Sequence, residues 1–109
     1  MEKIYCSAIW YKDLEPNHSL GKRNPENITE GIVLLGHRHG DIIKNLGNLL
    51  GLRSVENGEN SVGEYEQGFL TNKNRFVDRK EGAEIAINAN QIKDLERFNP
   101  NQLFSEDLY

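Results

Sequence analysis

The chain has 109 residues, of which 37% are apolar and 28% charged, with a formal net charge of −4. That length holds one domain with a modest core, and the composition excludes a disordered chain. The acidic excess withholds the basic surface from which general nucleic-acid binders draw their affinity, so no long nucleic acid is expected as a partner.

Cys6 is the only cysteine, which excludes an internal disulfide and a CxxC metal site. No stretch has the apolar length of a signal peptide or a membrane span, so a cytosolic protein with no membrane partner is expected.

In chain order, Ile4 to Tyr11 alternates Ile4, Cys6, Ala8 and Trp10 with Tyr5, Ser7, Ile9 and Tyr11. The period of two predicts a strand, and apolar groups in both sets predict that both its faces are covered. Cys6 in that setting reads as a small buried hydrophobe rather than a nucleophile. Lys12 to Thr29 holds Pro16, Gly21 and Pro25 and has no period, which predicts a long loop of the kind used as a lid or binding segment. His18, Lys22 and Arg23 within it read as solvated. Gly31 to Gly36 is an apolar run between glycines and reads as a buried strand.

From Asp41 to Leu50, Ile42, Ile43, Leu46, Leu49 and Leu50 fall at helical spacing, with Asp41 in the first turn and Gly51 past the end. Leu52 to Val55 and Val62 to Thr71 read as a hairpin around Asn57-Gly58. Arg79 to about Asn90 reads as a second helix burying Ala83, Ala86 and Ile87, with Ile85 and Ala89 alongside. Its small residues predict close approach to the sheet or to a partner subunit. The closing Leu103 to Tyr109 is expected to dock its apolar side chains on its own core or on a neighbour. The sum is an α+β fold, a small antiparallel sheet packed with two α-helices in a single domain spanning 1–109.

The stretch with the richest chemistry is Gly68 to Ala89, read as a strand end, a polar turn and a helix start. Asp78 and Glu81 have capping-box spacing. Arg75 and Arg79 flank the helix start, where the helix dipole already supplies positive charge and nothing in helix stability asks for two arginines. An anion explains them, since backbone N–H groups and two guanidinium forks can converge on it. Phe69 and Phe76 offer aromatic faces, and Asn72 and Asn74 offer amides able to read a base or a sugar. These residues point to a phosphate-bearing, nucleotide-like ligand. The plain alternative is that the arginines are solvated or paired with Glu81, Glu84 or Glu64.

A second candidate lies at His37-Arg38-His39-Gly40-Asp41. In a strand, His37 and His39 point the same way, as two metal ligands would. The spacing resembles the HxHxDH motif of the metallo-β-lactamase superfamily, but Ile42 stands where its last histidine belongs. That fold also needs about twice this length, so no metal is expected. The other readings are a histidine pair hydrogen-bonded at a strand end, an anion site in which Arg38 and the histidines His37 and His39 sit at a strand–helix junction, or a small metal- or histidine-dependent hydrolase acting on a nucleotide-like substrate through His37 and His39. No nucleophile elbow, Walker loop or dinucleotide fingerprint is present, so the chain offers better binding groups than catalytic ones and no cofactor is expected.

Four blocks, YCSAIWYKDL, GHRHG, QGFLTNKNRFVDRKEGAEIA and LFSEDLY, resemble the small phage proteins of the first-described Thoeris anti-defence family. The blocks run from Tyr5 to Tyr109 and leave the Lys12 to Thr29 loop and the Asn57-Gly58 turn as variable parts. The resemblance implies a non-enzymatic sponge in the cytoplasm of the bacterial host. Such a protein sequesters the cyclic ADP-ribose isomer (glycocyclic ADP-ribose) that a TIR-domain enzyme makes on infection, so that the NAD-depleting effector stays off. It also implies an α+β homodimer or higher homo-oligomer with ligand sites at subunit interfaces, and cyclic oligonucleotides as a further ligand class at a separate site. The family's RxxxR ligand pattern falls on Arg75 and Arg79.

Overall fold

A computed structural model describes residues 1–14, 24–50 and 64–108. Four strands, β1 (Ile4–Tyr11), β2 (Ile32–Gly36), β3 (Tyr65–Thr71) and β4 (Phe76–Asp78), form one sheet in the order β2-β1-β3-β4. All three pairings are antiparallel. Helix α1 (His39–Leu50) follows β2, and helix α2 (Arg79–Asn88) follows β4 directly. The expected α+β architecture, a small antiparallel sheet with two helices, is the one observed.

The strand predicted over Ile4 to Tyr11 has those bounds and is central, which explains its apolar groups on both sides. Its register with β3 sets Ser7 against Phe69 and Ile9 against Gln67. Alternation therefore puts Ser7, Ile9, Tyr11 and Phe69 on one face and Cys6, Ala8, Trp10 and Leu70 on the other. Both helices pack on the first face. Ile42 of α1 joins Ile9 and Tyr11, while Ala83 and Ala86 of α2 join Ile4, Phe69, Val77 and Leu103.

The second face is covered at one end by residues 24–30. Ile28 packs with Ala8, Val33, Phe76 and Trp10. Asn24 Oδ1 accepts from Val33 N (3.0 Å), and its Nδ2 donates to the Gly31 carbonyl (2.9 Å). At the far edge the Asn27 amide takes both main-chain groups of Phe76. Its Oδ1 accepts from Phe76 N (2.8 Å), and its Nδ2 donates to Phe76 O (2.7 Å). One side chain thus stands in for a strand along the open edge of β4, which would otherwise offer unpaired peptide groups. Asn27→Ala is expected to cost about 1–3 kcal/mol, because it strands a donor and an acceptor. Asn27→Asp, which keeps only the acceptor, should fall between the two in thermal denaturation.

Four differences from the sequence reading have physical causes. The polar turn after β3 leads into β4 rather than straight into the helix, so Gly68 to Asp78 is a hairpin. Its loop closes through Thr71 N donating to Arg75 O (2.9 Å), with Asn74 at φ 58°. Helix α1 begins at His39, two residues before Asp41, with the Arg38 carbonyl accepting from Asp41 N and Ile42 N. In α2 the buried stripe is Gly82, Ala83 and Ala86, and Ile87 is exposed. Ile85 and Ile87 flank that stripe, and of the two only Ile85 packs against the core cluster, as Ile92, Phe98 and Leu108 also do. Finally, β3 pairs with β1 and β4. The Leu52 to Val55 and Asn57-Gly58 parts of the predicted hairpin lie outside the described residues. So do His18, Lys22, Arg23 and Gly51, and the side chains of Leu46, Leu49 and Leu50.

The C-terminal segment docks on the chain's own core through Leu103 and Leu108, while Phe104 is exposed and Tyr109 lies outside the described residues. Leu103 is wholly buried, and its N–H donates to Arg79 O (3.0 Å). Ser105–Asp107 forms a single 3-10 turn behind it.

Candidate functional site

The cap at the start of α2 forms as its spacing predicts, with the Asp78 carboxylate accepting from Glu81 N (2.7 Å). The reciprocal half of a capping box is replaced, because the Glu81 carboxylate accepts from Arg75 Nη2 (3.0 Å). Arg75 is otherwise held by Glu2, through Nε (2.9 Å) and Nη2 (2.8 Å). Thr71 Oγ1 donates to the same Glu2 carboxylate (2.7 Å). Hydrogen bonds from Arg75 and Thr71 pull the Glu2 carboxyl down to about 2 from an ordinary 4.5.

Because that value is depressed on folding, Glu2 contributes stability in full above its ordinary range. The contribution drains away as pH falls from about 4.5 towards 2. Acid denaturation of Glu2→Gln is expected to lack this limb, which stability curves between those pH values will read.

Arg79 takes a different set of partners. Its Nη1 donates to Leu103 O (2.6 Å), its Nη2 donates to Gln67 Oε1, and its guanidinium lies 4.5 Å from the centre of the Phe104 ring. Burial lowers its pKa, opposed by Glu106 and Asp107. The two arginines therefore do not close on one point within this chain. The reason is the unforeseen strand: Arg75 and Arg79 are separated by extended β4, and four extended residues span roughly 13 Å rather than one helical turn.

Phe69, named for ring stacking, is wholly buried, with the His39 ring edge-on at 5.0 Å. Both its faces belong to the core. Phe76 is likewise buried, with the Trp10 ring edge-on at 5.9 Å. Asn72 ties down the N-terminus, accepting from Lys3 N (2.8 Å) and donating to Met1 O (3.3 Å). The ring beside an arginine is Phe104, which lies 25 residues from Arg79 and carries no local signal of that role.

Arg79 opens instead on a groove of about 370 Å³ over the first turn of α2. It is also lined by Lys80, by the amide residues Gln67, Asn99, Asn101 and Gln102, and by the carboxylate residues Glu66 and Asp78. Asp78 is committed to capping and Glu66 is paired with Lys12 at 3.5 Å. Asn99 shapes its loop by accepting from Asn101 N (2.9 Å). Two cations and four amides around the N–H end of a helix suit an anionic, hydroxyl-rich ligand. Sequence reasoning found Arg79 but missed the amides, which arrive from β3 and from a loop twenty residues later.

The histidine stretch separates. His37 is exposed, and its carbonyl accepts from Ser7 Oγ (3.0 Å). Arg38 lies 3.6 Å from Glu106. His39 is buried at the start of α1, where its Nε2–H donates to Gly68 O (2.7 Å). Burial lowers its pKa, against the opposing pull of that carbonyl. His37 lies before the helix and His39 within it, so the same-side geometry of a strand is lost. Among the described residues no cluster of His, Cys, Asp and Glu could hold a metal ion. Among them, too, no helix is long and apolar enough to cross a membrane.

Fold and groove together define a small single-domain α+β protein with a ligand-sized polar groove at a helix start. The chain belongs to the phage T4 y16D protein family, whose family model matches residues 3–109. No curated protein and no solved structure matches it.

Proposed function

We propose that this phage protein sequesters a small phosphate-bearing signalling nucleotide without degrading it. The specific ligand proposed is a TIR-generated cyclic ADP-ribose isomer, glycocyclic ADP-ribose, whose capture would block Thoeris signalling in the host cytoplasm. The observation that carries the reading is the groove at the start of α2, where Arg79 and Lys80 face the amides of Gln67, Asn99, Asn101 and Gln102. A pyrophosphate calls for a guanidinium fork and helix N–H groups, and ribose hydroxyls call for amides. The two carboxylates that line the groove, Glu66 and Asp78, are engaged structurally, which favours holding a ligand over acid–base turnover.

The resemblance of the RFVDR block supplies the ligand class. Arg75 takes part when a ligand or a second copy competes for it with Glu2 and Glu81. A homodimer or higher homo-oligomer is proposed because a groove this open encloses little of a nucleotide by itself. Cyclic oligonucleotides are proposed as a further ligand class.

The test is capture and release. Purified protein is mixed with extract from cells whose TIR enzyme has been triggered, washed, heat-denatured, and the supernatant analysed by mass spectrometry. Recovery of an intact cyclic ADP-ribose species supports sequestration. Recovery of a modified product makes the protein an enzyme, and an empty supernatant removes this ligand class.

A further inference from the structure

A second groove, of about 270 Å³, lies beside the β3–β4 turn, lined by Tyr5, Leu70, Thr71, Asn72 and Asn74. We infer that it is a binding site for an uncharged planar heteroaromatic ring, of the size of a free nucleobase or nucleoside, stacked on Tyr5.

Three independent observations converge here. The ladder between β1 and β3 shifts register between Ile4 and Cys6, and Tyr5 occupies that irregularity. Bulges re-aim side chains, and this one leaves Tyr5 70% exposed beside a groove that Leu70 also lines. A large aromatic ring held out next to a concave apolar surface is a stacking platform. In the β3–β4 turn Asn74 is held at φ 58°, and its side-chain amide makes no hydrogen bond among the described residues. It is therefore available to pair with the donor and acceptor edge of a heterocycle.

The third observation is charge. None of the five lining side chains is ionisable near neutral pH. The nearest carboxylate in the bonding network is Glu2, which accepts from Thr71 Oγ1, and Arg75 is committed to Glu2 and Glu81. A phosphate entering this groove would lose water without meeting a cation among its five lining side chains, whereas a neutral ring loses little. The volume also falls below the usual range for a drug-sized ligand and fits one small ring system. This site is separate from the groove at α2 and does not depend on the function proposed for it.

Adenosine and adenosine 5′-monophosphate are the probes, titrated into the full chain while amide chemical shifts are followed by NMR. Adenosine is expected to move the resonances of Tyr5, Leu70 and Asn74, and the monophosphate to bind more weakly at those positions. Tyr5→Ala should weaken adenosine at least about tenfold, in line with loss of one base–aromatic stack, while Tyr5→Phe retains binding. Asn74→Gly keeps the turn conformation, removes the amide, and should weaken binding of adenosine. Tyr5 is a surface side chain, so its loss leaves the fold intact. No shift at these residues at millimolar adenosine, equal binding of the monophosphate, or indifference to Tyr5→Ala would each overturn the assignment.

Discussion

Phe69→Ala is expected to lower stability by about 3–5 kcal/mol, the usual cost of deleting a large aromatic ring from a core. The ring is wholly buried between the sheet and α2, packed with Ile4, Val77, Ala83, Ala86 and Leu103. Gly82 lies against it so closely that a methyl group there would sit 3.1 Å from Phe69 Cδ2. That close approach explains the small-residue face of α2. For a domain of this size such a loss is a large share of total stability, and the melting temperature should fall by roughly 10–30 °C. Thermal unfolding followed by circular dichroism measures it. A melting temperature within a few degrees of wild type would mean that Phe69 is not a core residue, and would return it to the surface as a stacking ring.

Arg79→Ala is expected to reduce capture of a phosphate-bearing nucleotide by about 100-fold or more, because it removes the fork that faces the α2 groove. It also frees the Leu103 carbonyl and the Phe104 ring, at a folding cost of about 1–2 kcal/mol. Retained structure must therefore be checked alongside binding. Arg79→Lys keeps the charge but not the fork, and should recover only part of the affinity. Lys80→Ala, which touches no core contact, should weaken capture through charge alone and by a smaller factor. Isothermal titration with the species released from the capture experiment would rank the four proteins. Unchanged affinity in a folded Arg79→Ala protein would sink the groove assignment. If Arg75→Ala alone abolished capture, the ligand would instead sit against the Glu2 side of the hairpin.

The difference between these two arginines shows where local reasoning stops. Both were legible as unusual, since two guanidinium groups flank a helix start that already carries positive potential. What each one touches was not legible. Arg75 meets Glu2 from 73 positions away, and Arg79 meets Leu103 from 24. A spacing of four implies a shared target only where the intervening residues form a turn and a helix. Phe76–Asp78 is too short to show a period of its own, and pairing with β3 makes it a strand.

By itself the sequence determined the α+β composition, the span of β1, the positions of β2 and both helices, and the Asp78 cap. Those features arise from alternation, helical spacing and capping, which act across a few neighbouring residues. Only the tertiary structure decided the strand order, the edge cover supplied by Asn27, the burial of Phe69, and the separation of His37 from His39. It alone brought Gln67, Asn99, Asn101 and Gln102 to Arg79. These are contacts between residues far apart in the chain, fixed by which apolar faces bury each other, and no local pattern encodes them.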